Sequence, residues 1–218
     1  MALPSTYRSN RVVLTRRSRR IDCSAIIHDS FVDAPAKVTN GISVSHAGAG
    51  AASTRNQTIG GSLATAGVAA LRPARNVVIT VTHGSSVVAM SGIITGTDKY
   101  GQVMTEAWSV TAGTTSKTFT GKKAFWTITA ISETIAADAS TNSIISGTGD
   151  VLGLSAPLSV ASALKEVSGG SVVTNGTFVA ASTASTADPH GTYAPNTVPD
   201  AAVDYDVWYI SDLPENAR

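Results

Sequence analysis

The stretch from Val77 to Ile131 constrains this chain most. Val77-Val-Ile-Thr-Val-Thr-His83 is β-branched and alternating, and Gly84 ends it. A second run covers Val87 to Thr95, after which Gly96-Thr-Asp-Lys-Tyr-Gly101 supplies turn residues. Gln102 to Val110 alternates cleanly, with Val103, Thr105, Ala107 and Ser109 on one face and Met104, Glu106, Trp108 and Val110 on the other. Residues 111–118 read as a polar connection, and Phe119 to Lys122 as a short strand or turn. Ala124 to Ile131 reads as a strong strand, with Trp126, Ile128 and Ala130 facing one way and Phe125, Thr127, Thr129 and Ile131 the other. Strands of this length, separated by turn signals, predict a mainly β protein with an antiparallel sandwich or barrel-like body. With 218 residues, 43% of them apolar, the chain can build a core without metals or disulfides. The single cysteine, Cys23, excludes an intrachain disulfide framework and reads as a small inert residue.

The flanks carry weaker signals. Residues 34–76 are rich in Ala, Gly, Ser and Thr, with a turn expected at Asn40-Gly41 and another at Gly67 between two short strands. Gly147-Thr-Gly-Asp150 reads as a turn, and Pro157 to Val167 as one short helix or an irregular strand. Val172 to Val179 predicts a hairpin in which Asn175-Gly176 forms a type I′ turn. Residues 181–200 read as loop, and Val203 to Ile210 as a final strand. The expected organisation is a basic extended N-terminal arm over 1–33 and a β-sandwich body over 34–154. A C-terminal β-rich segment, 155–218, packs on that body or forms a small lobe.

Net charge is +1, but the charge is not spread evenly. Residues 1–20 hold Arg8, Arg11, Arg16, Arg17, Arg19 and Arg20 and no acid. Residues 188–218 hold Asp188, Asp200, Asp204, Asp206, Asp212 and Glu215 against the single base Arg218. Such asymmetry suits charged partner surfaces, or copies packed basic end to acidic end. The arginines lack interleaved aromatics and no basic face accompanies them, so nucleic acid is not the expected partner. The N-terminus does not read as a secretory signal and no run approaches a membrane span, so a soluble protein without a membrane partner is expected.

Catalytic patterns do not emerge. His28, His46, His83 and His190 form no HExxH or His-x-His spacing, and neither GxSxG, a Walker loop nor a helix-opening GxGxxG occurs. Asp98 and Asp150 lack the alternating acids of a calcium loop. The expectation is therefore a chain with no enzymatic activity, no metal and no cofactor.

Several short motifs in order carry a resemblance. They are Gly67-Val-Ala-Ala-Leu71, Arg75-Asn-Val-Val-Ile-Thr-Val81, Ile94-Thr-Gly-Thr-Asp-Lys-Tyr-Gly101, Met104-Thr-Glu106 and Gly121-Lys-Lys-Ala-Phe125. Ile128-Thr-Ala-Ile131, Gly147-Thr-Gly-Asp-Val-Leu-Gly-Leu154 and Gly191-Thr-Tyr-Ala-Pro-Asn196 complete the set. Together they resemble small virion structural proteins of tailed bacteriophages, over residues 38–210. The resemblance implies a virion component without catalytic residues. With the charge asymmetry, it leads to the expectation of a head decoration or cement protein bound to the major capsid protein. Such a protein would be a homo-oligomer, most simply a trimer, on the phage head surface after assembly in the bacterial host cytoplasm. Partner contacts are expected from the six arginines of the arm and from Asp204, Tyr205, Asp206 and Trp208 near the C-terminus. The alternatives are a neck, tail or fibre component, or a glycan-binding β-module using exposed aromatics; Trp108, Trp126, Trp208, Tyr205 and Tyr209 could stack on sugars, with Trp108 and Trp208 as the test positions.

Overall fold

Period-two alternation builds strands throughout, and several are long enough to bend and serve more than one neighbour. The computed structural model describes the backbone of residues 11–14 and 22–212 and the side chains of 24–211. No helix occurs among the described residues. The first part of the chain forms β1 (Arg11–Leu14), β2 (Asp22–Phe31), β3 (Ser43–Ala47), β4 (Ser53–Asn56) and β5 (Ala64–Thr65). The middle forms β6 (Val68–His83), β7 (Met90–Thr97), β8 (Val103–Val110), β9 (Lys117–Ile135) and β10 (Asn142–Gly153). The last part forms β11 (Lys165–Ser168), β12 (Ser171–Val173), β13 (Thr177–Val179), β14 (Thr192–Ala194) and β15 (Tyr205–Asp212).

Two antiparallel sheets result. The larger runs β13-β14-β10-β6-β9-β7-β8, with β3 on β10, β4 on β9 and β5 on β6, and it curls into a half-barrel. The smaller is β1-β2-β15-β11-β12. The mainly β, antiparallel expectation is met. The 19-residue β9 makes the curl possible: its first half pairs with β6, and its second half pairs with β7.

At the corner, residues 121–123 of β9 lie opposite the single residue Val77 of β6, a bulge that frees backbone amides. Side chains collect them. Glu106 on β8 accepts from the Lys122 and Lys123 N–H groups, and Asp188 accepts from the Ala124 N–H. The Asn76 amide donates to the Gly121 carbonyl, while Lys123 Nζ donates back to the Thr105 carbonyl at 2.8 Å. The edge of β8 is thereby tied to β9 through side chains rather than a backbone ladder.

The faces of β8 follow the predicted alternation, with Met104, Glu106, Trp108 and Val110 buried. Those of β9 do not. Ile128 and Ile131 are both fully buried because the pairing with β7 skips Thr129. An extra residue at the bulge rotates the rest of the strand by one face.

Local expectations at two places need correction. Asn175-Gly176 does not close a hairpin. β12 pairs with β11 and β13 pairs with β14, so the segment crosses from one sheet to the other. The hairpin turn is Gly169-Gly170, both at positive φ (57° and 78°), directly between the partners Ser168 and Ser171. Gly176 meets a different demand: a Cβ there would lie 2.5 Å from both Glu166 and Tyr193. Gly147 to Asp150 lies inside β10 and is not a turn. The stretch 157–167 takes the second of its two expected forms: it is irregular, without a helix, until β11 begins at Lys165.

Two cores form. One, under the half-barrel, contains Ile42, Leu71, Ile79, Ile94, Trp108 and Phe125. The other joins the two sheets through Phe31, Leu152, Leu154, Tyr193, Tyr205 and Tyr209. Its tyrosine hydroxyls are satisfied: Tyr193 donates to Glu166 at 2.6 Å, Tyr205 to the Thr197 carbonyl and Tyr209 to Asp29, both at 3.0 Å. Part of the segment expected as an arm, residues 22–31, is therefore a strand paired on both sides, with β1 and β15.

Candidate docking face on the five-stranded sheet

The smaller sheet joins β1 and β2 to β15, the first and last strands among the described residues meeting through β2. Arg11 opens β1 as the Cα partner of Ala25, and Ala25 is in turn the partner of Ser211 on β15. Arg8, Arg16, Arg17, Arg19 and Arg20 lie outside the described residues, as does the Arg11 side chain. Of the predicted C-terminal residues, Tyr205 is fully buried and faces the core, so it is unavailable to a partner. Asp204 is spent on a turn, accepting the Asp33 N–H at 2.8 Å. Asp206 and Trp208 point outward, as the period-two pattern of β15 requires.

Cross-strand register builds the outer face. Lys165, Trp208 and His28 lie in one row across β11, β15 and β2. The His28 and Trp208 rings stack with centroids 4.2 Å apart and planes 1° from parallel. Lys165 Nζ sits 4.8 Å from the Trp208 ring centroid, a cation–π contact on the same indole. His28 Nε2 is 2.9 Å from Asp206 Oδ1. Hydrogen bonding from Ser30, and then from His28, holds the Asp206 carboxyl below the usual carboxylate range. Beside this row Ile26 and Ile210 are direct partners and stand exposed, at 50% and 36%. Val172, on the edge strand β12, is 66% exposed. The result is a rigid aromatic centre with aliphatic neighbours and a few charges, the composition of an interface hot spot.

Sequence reasoning missed His28, Ile26 and Lys165. The signal for the first two was the β-branched pair Ile26-Ile27 before His28, masked by the arginines preceding it. Lys165 had no local signal, since only register places it over Trp208.

Elsewhere several titratable groups serve the fold. Among the described residues no group of three or more His, Cys, Asp or Glu could hold a metal ion. Asp98 Oδ1 accepts the Tyr100 and Gln102 N–H groups, each at 2.8 Å, which makes it a turn residue. Glu133 is fully buried and accepts from Arg55 Nε, His46 Nε2 and Gln57 Nε2. Burial pushes its carboxyl up, but hydrogen bonds and charge from His46 and Arg55 outweigh burial and hold it below the ordinary value. Trp108 is 2% exposed and donates to the Ser132 carbonyl at 2.9 Å, so it is a core residue and cannot stack on a glycan.

These features define a mainly β protein whose smaller sheet presents an exposed face centred on Trp208. The chain matches no family model, and no curated protein or solved structure shows significant similarity to it.

Proposed function

We propose that this chain is a non-enzymatic virion structural protein of a tailed bacteriophage, most specifically a head decoration or cement protein. It docks on the major capsid protein lattice through the outer face of the five-stranded sheet, and copies associate with one another, most simply as trimers. The observation that carries the reading is the Lys165–Trp208–His28 row flanked by Ile26 and Ile210. An indole already fixed between a cation and an imidazole loses little side-chain entropy when covered. A lattice presents many copies of one site, so a modest individual interface is enough when subunits are linked. The same sheet carries β1, which begins at Arg11.

Rebinding of purified protein to heads that lack it tests the proposal. Co-sedimentation with heads and greater resistance of those heads to heat are expected. Protein that never co-sediments with heads, while remaining folded, defeats the reading.

A further inference from the structure

A cleft of about 390 Å³ lies at the seam of the two sheets and borders the docking face at Ser30, the cross-strand partner of Asp206. Its origin is a second irregularity in the ladder. Ala70 pairs with Thr127 and Arg75 with Phe125, so four residues of β6, Leu71 to Ala74, lie opposite the single Trp126 of β9. Wide departures of this kind re-aim side chains beside binding sites. Here the bulge turns Arg72 outward, with its guanidinium carbon 5.2 Å from the Trp126 ring centroid. Trp126 is half-buried and lines the cleft, and Lys99, exposed on the β7–β8 turn, lines it too. The opposite wall comes from the end of β2 and the residues after it, including Asp29 and Asp33. Asp29 is anchored, since its Oδ2 accepts from the Ser155 N–H at 2.6 Å and the Tyr209 hydroxyl at 3.0 Å.

We propose that this cleft binds a neutral saccharide, with Trp126 as the stacking platform and Arg72, Lys99, Asp29 and Asp33 as hydrogen-bonding groups. Three features select that ligand class. The volume falls within the range of small-ligand sites. Two cations and two carboxylates cancel, so the cleft has no net charge to attract a polyanion. Sugar hydroxyls donate and accept at once, so they are served by side chains of both kinds, while a sugar's C–H face needs an aromatic surface. The anchored Asp29 and the Arg72–Trp126 contact hold one group on each wall before a ligand arrives, which lowers the cost of binding.

The experiment is a glycan array carrying neutral hexose oligosaccharides beside sialylated and sulfated glycans, probed with the full chain. Calorimetry with the strongest neutral oligosaccharide then measures affinity. Wild-type protein is expected to prefer neutral glycans, and Trp126→Ala and Lys99→Ala each to bind about tenfold more weakly. Lys99→Ala, at an exposed turn, keeps the test independent of any folding loss in Trp126→Ala. Trp208→Ala is expected to leave glycan binding intact, which separates this site from the docking face. The proposal is overturned if wild-type protein binds no neutral glycan, if it prefers the anionic ones, or if Lys99→Ala binds as well as wild type.

Discussion

Glu106 Oε1 on β8 accepts the backbone N–H of Lys122 on β9 at 2.6 Å. This contact closes the half-barrel where no backbone ladder does, and it does so with a buried carboxylate, 5% exposed. Glu106→Ala leaves the Lys122 and Lys123 amides without their acceptor in a buried setting. A loss of about 1–3 kcal/mol in stability is expected, read by urea denaturation. Glu106→Gln keeps one acceptor oxygen and should lose less.

Two buried glutamates should respond to pH with opposite signs. Burial raises the Glu106 pKa above its unfolded value, so the folded protein binds the proton more tightly. Its ionised form therefore weighs against folding as pH rises through the interval between the two values. Glu133 is held low by His46 and Arg55, so its contribution is present above the unfolded value and lost as pH falls through the folded one. On acidification, wild type should gain in melting temperature relative to Glu106→Gln and lose relative to Glu133→Gln. Parallel melting curves for all three proteins across the carboxylate range would refute the assignment.

Two of the tryptophans that sequence nominates for glycan stacking, Trp108 and Trp208, should behave as different kinds of residue. Trp108→Ala removes a core side chain and is expected to cost about 3–5 kcal/mol. Trp208→Ala takes away an outward indole and should leave melting nearly unchanged while weakening head binding about tenfold. Thermal melts and co-sedimentation on the same preparations distinguish them. Equal loss of stability in both variants would contradict the placement of β15.

The turn reassignment is testable at one position. Gly170 has φ of 78°, and a methyl group added there would have nothing within 4 Å, so Gly170→Ala meets only the backbone penalty. About 1–2 kcal/mol is expected. Asn175→Ala should cost less, because Asn175 does not close the hairpin. A larger loss at Asn175 than at Gly170 would restore the hairpin that sequence alone suggested.

Sequence alone determined that this protein is mainly β, and it determined the buried faces of strands whose alternation is unbroken. Val77 to His83 and Val103 to Val110 alternate, and alternation dictates which side is buried whatever the partner strand is. It also showed the basic start and the acidic end. Tertiary structure decided the rest, because bulges and register are properties of pairs. The skipped Thr129 put Ile128 and Ile131 on one face, and the excess residues opposite Val77 and Trp126 built the Glu106 closure and the seam cleft. Asn175-Gly176 has hairpin chemistry, yet the strands on either side of it found better partners in different sheets. Lys165, Trp208 and His28 are distant along the chain, and only the order β2-β15-β11 makes them neighbours. A local pattern specifies what a segment can be; which segments meet depends on burying both cores at once.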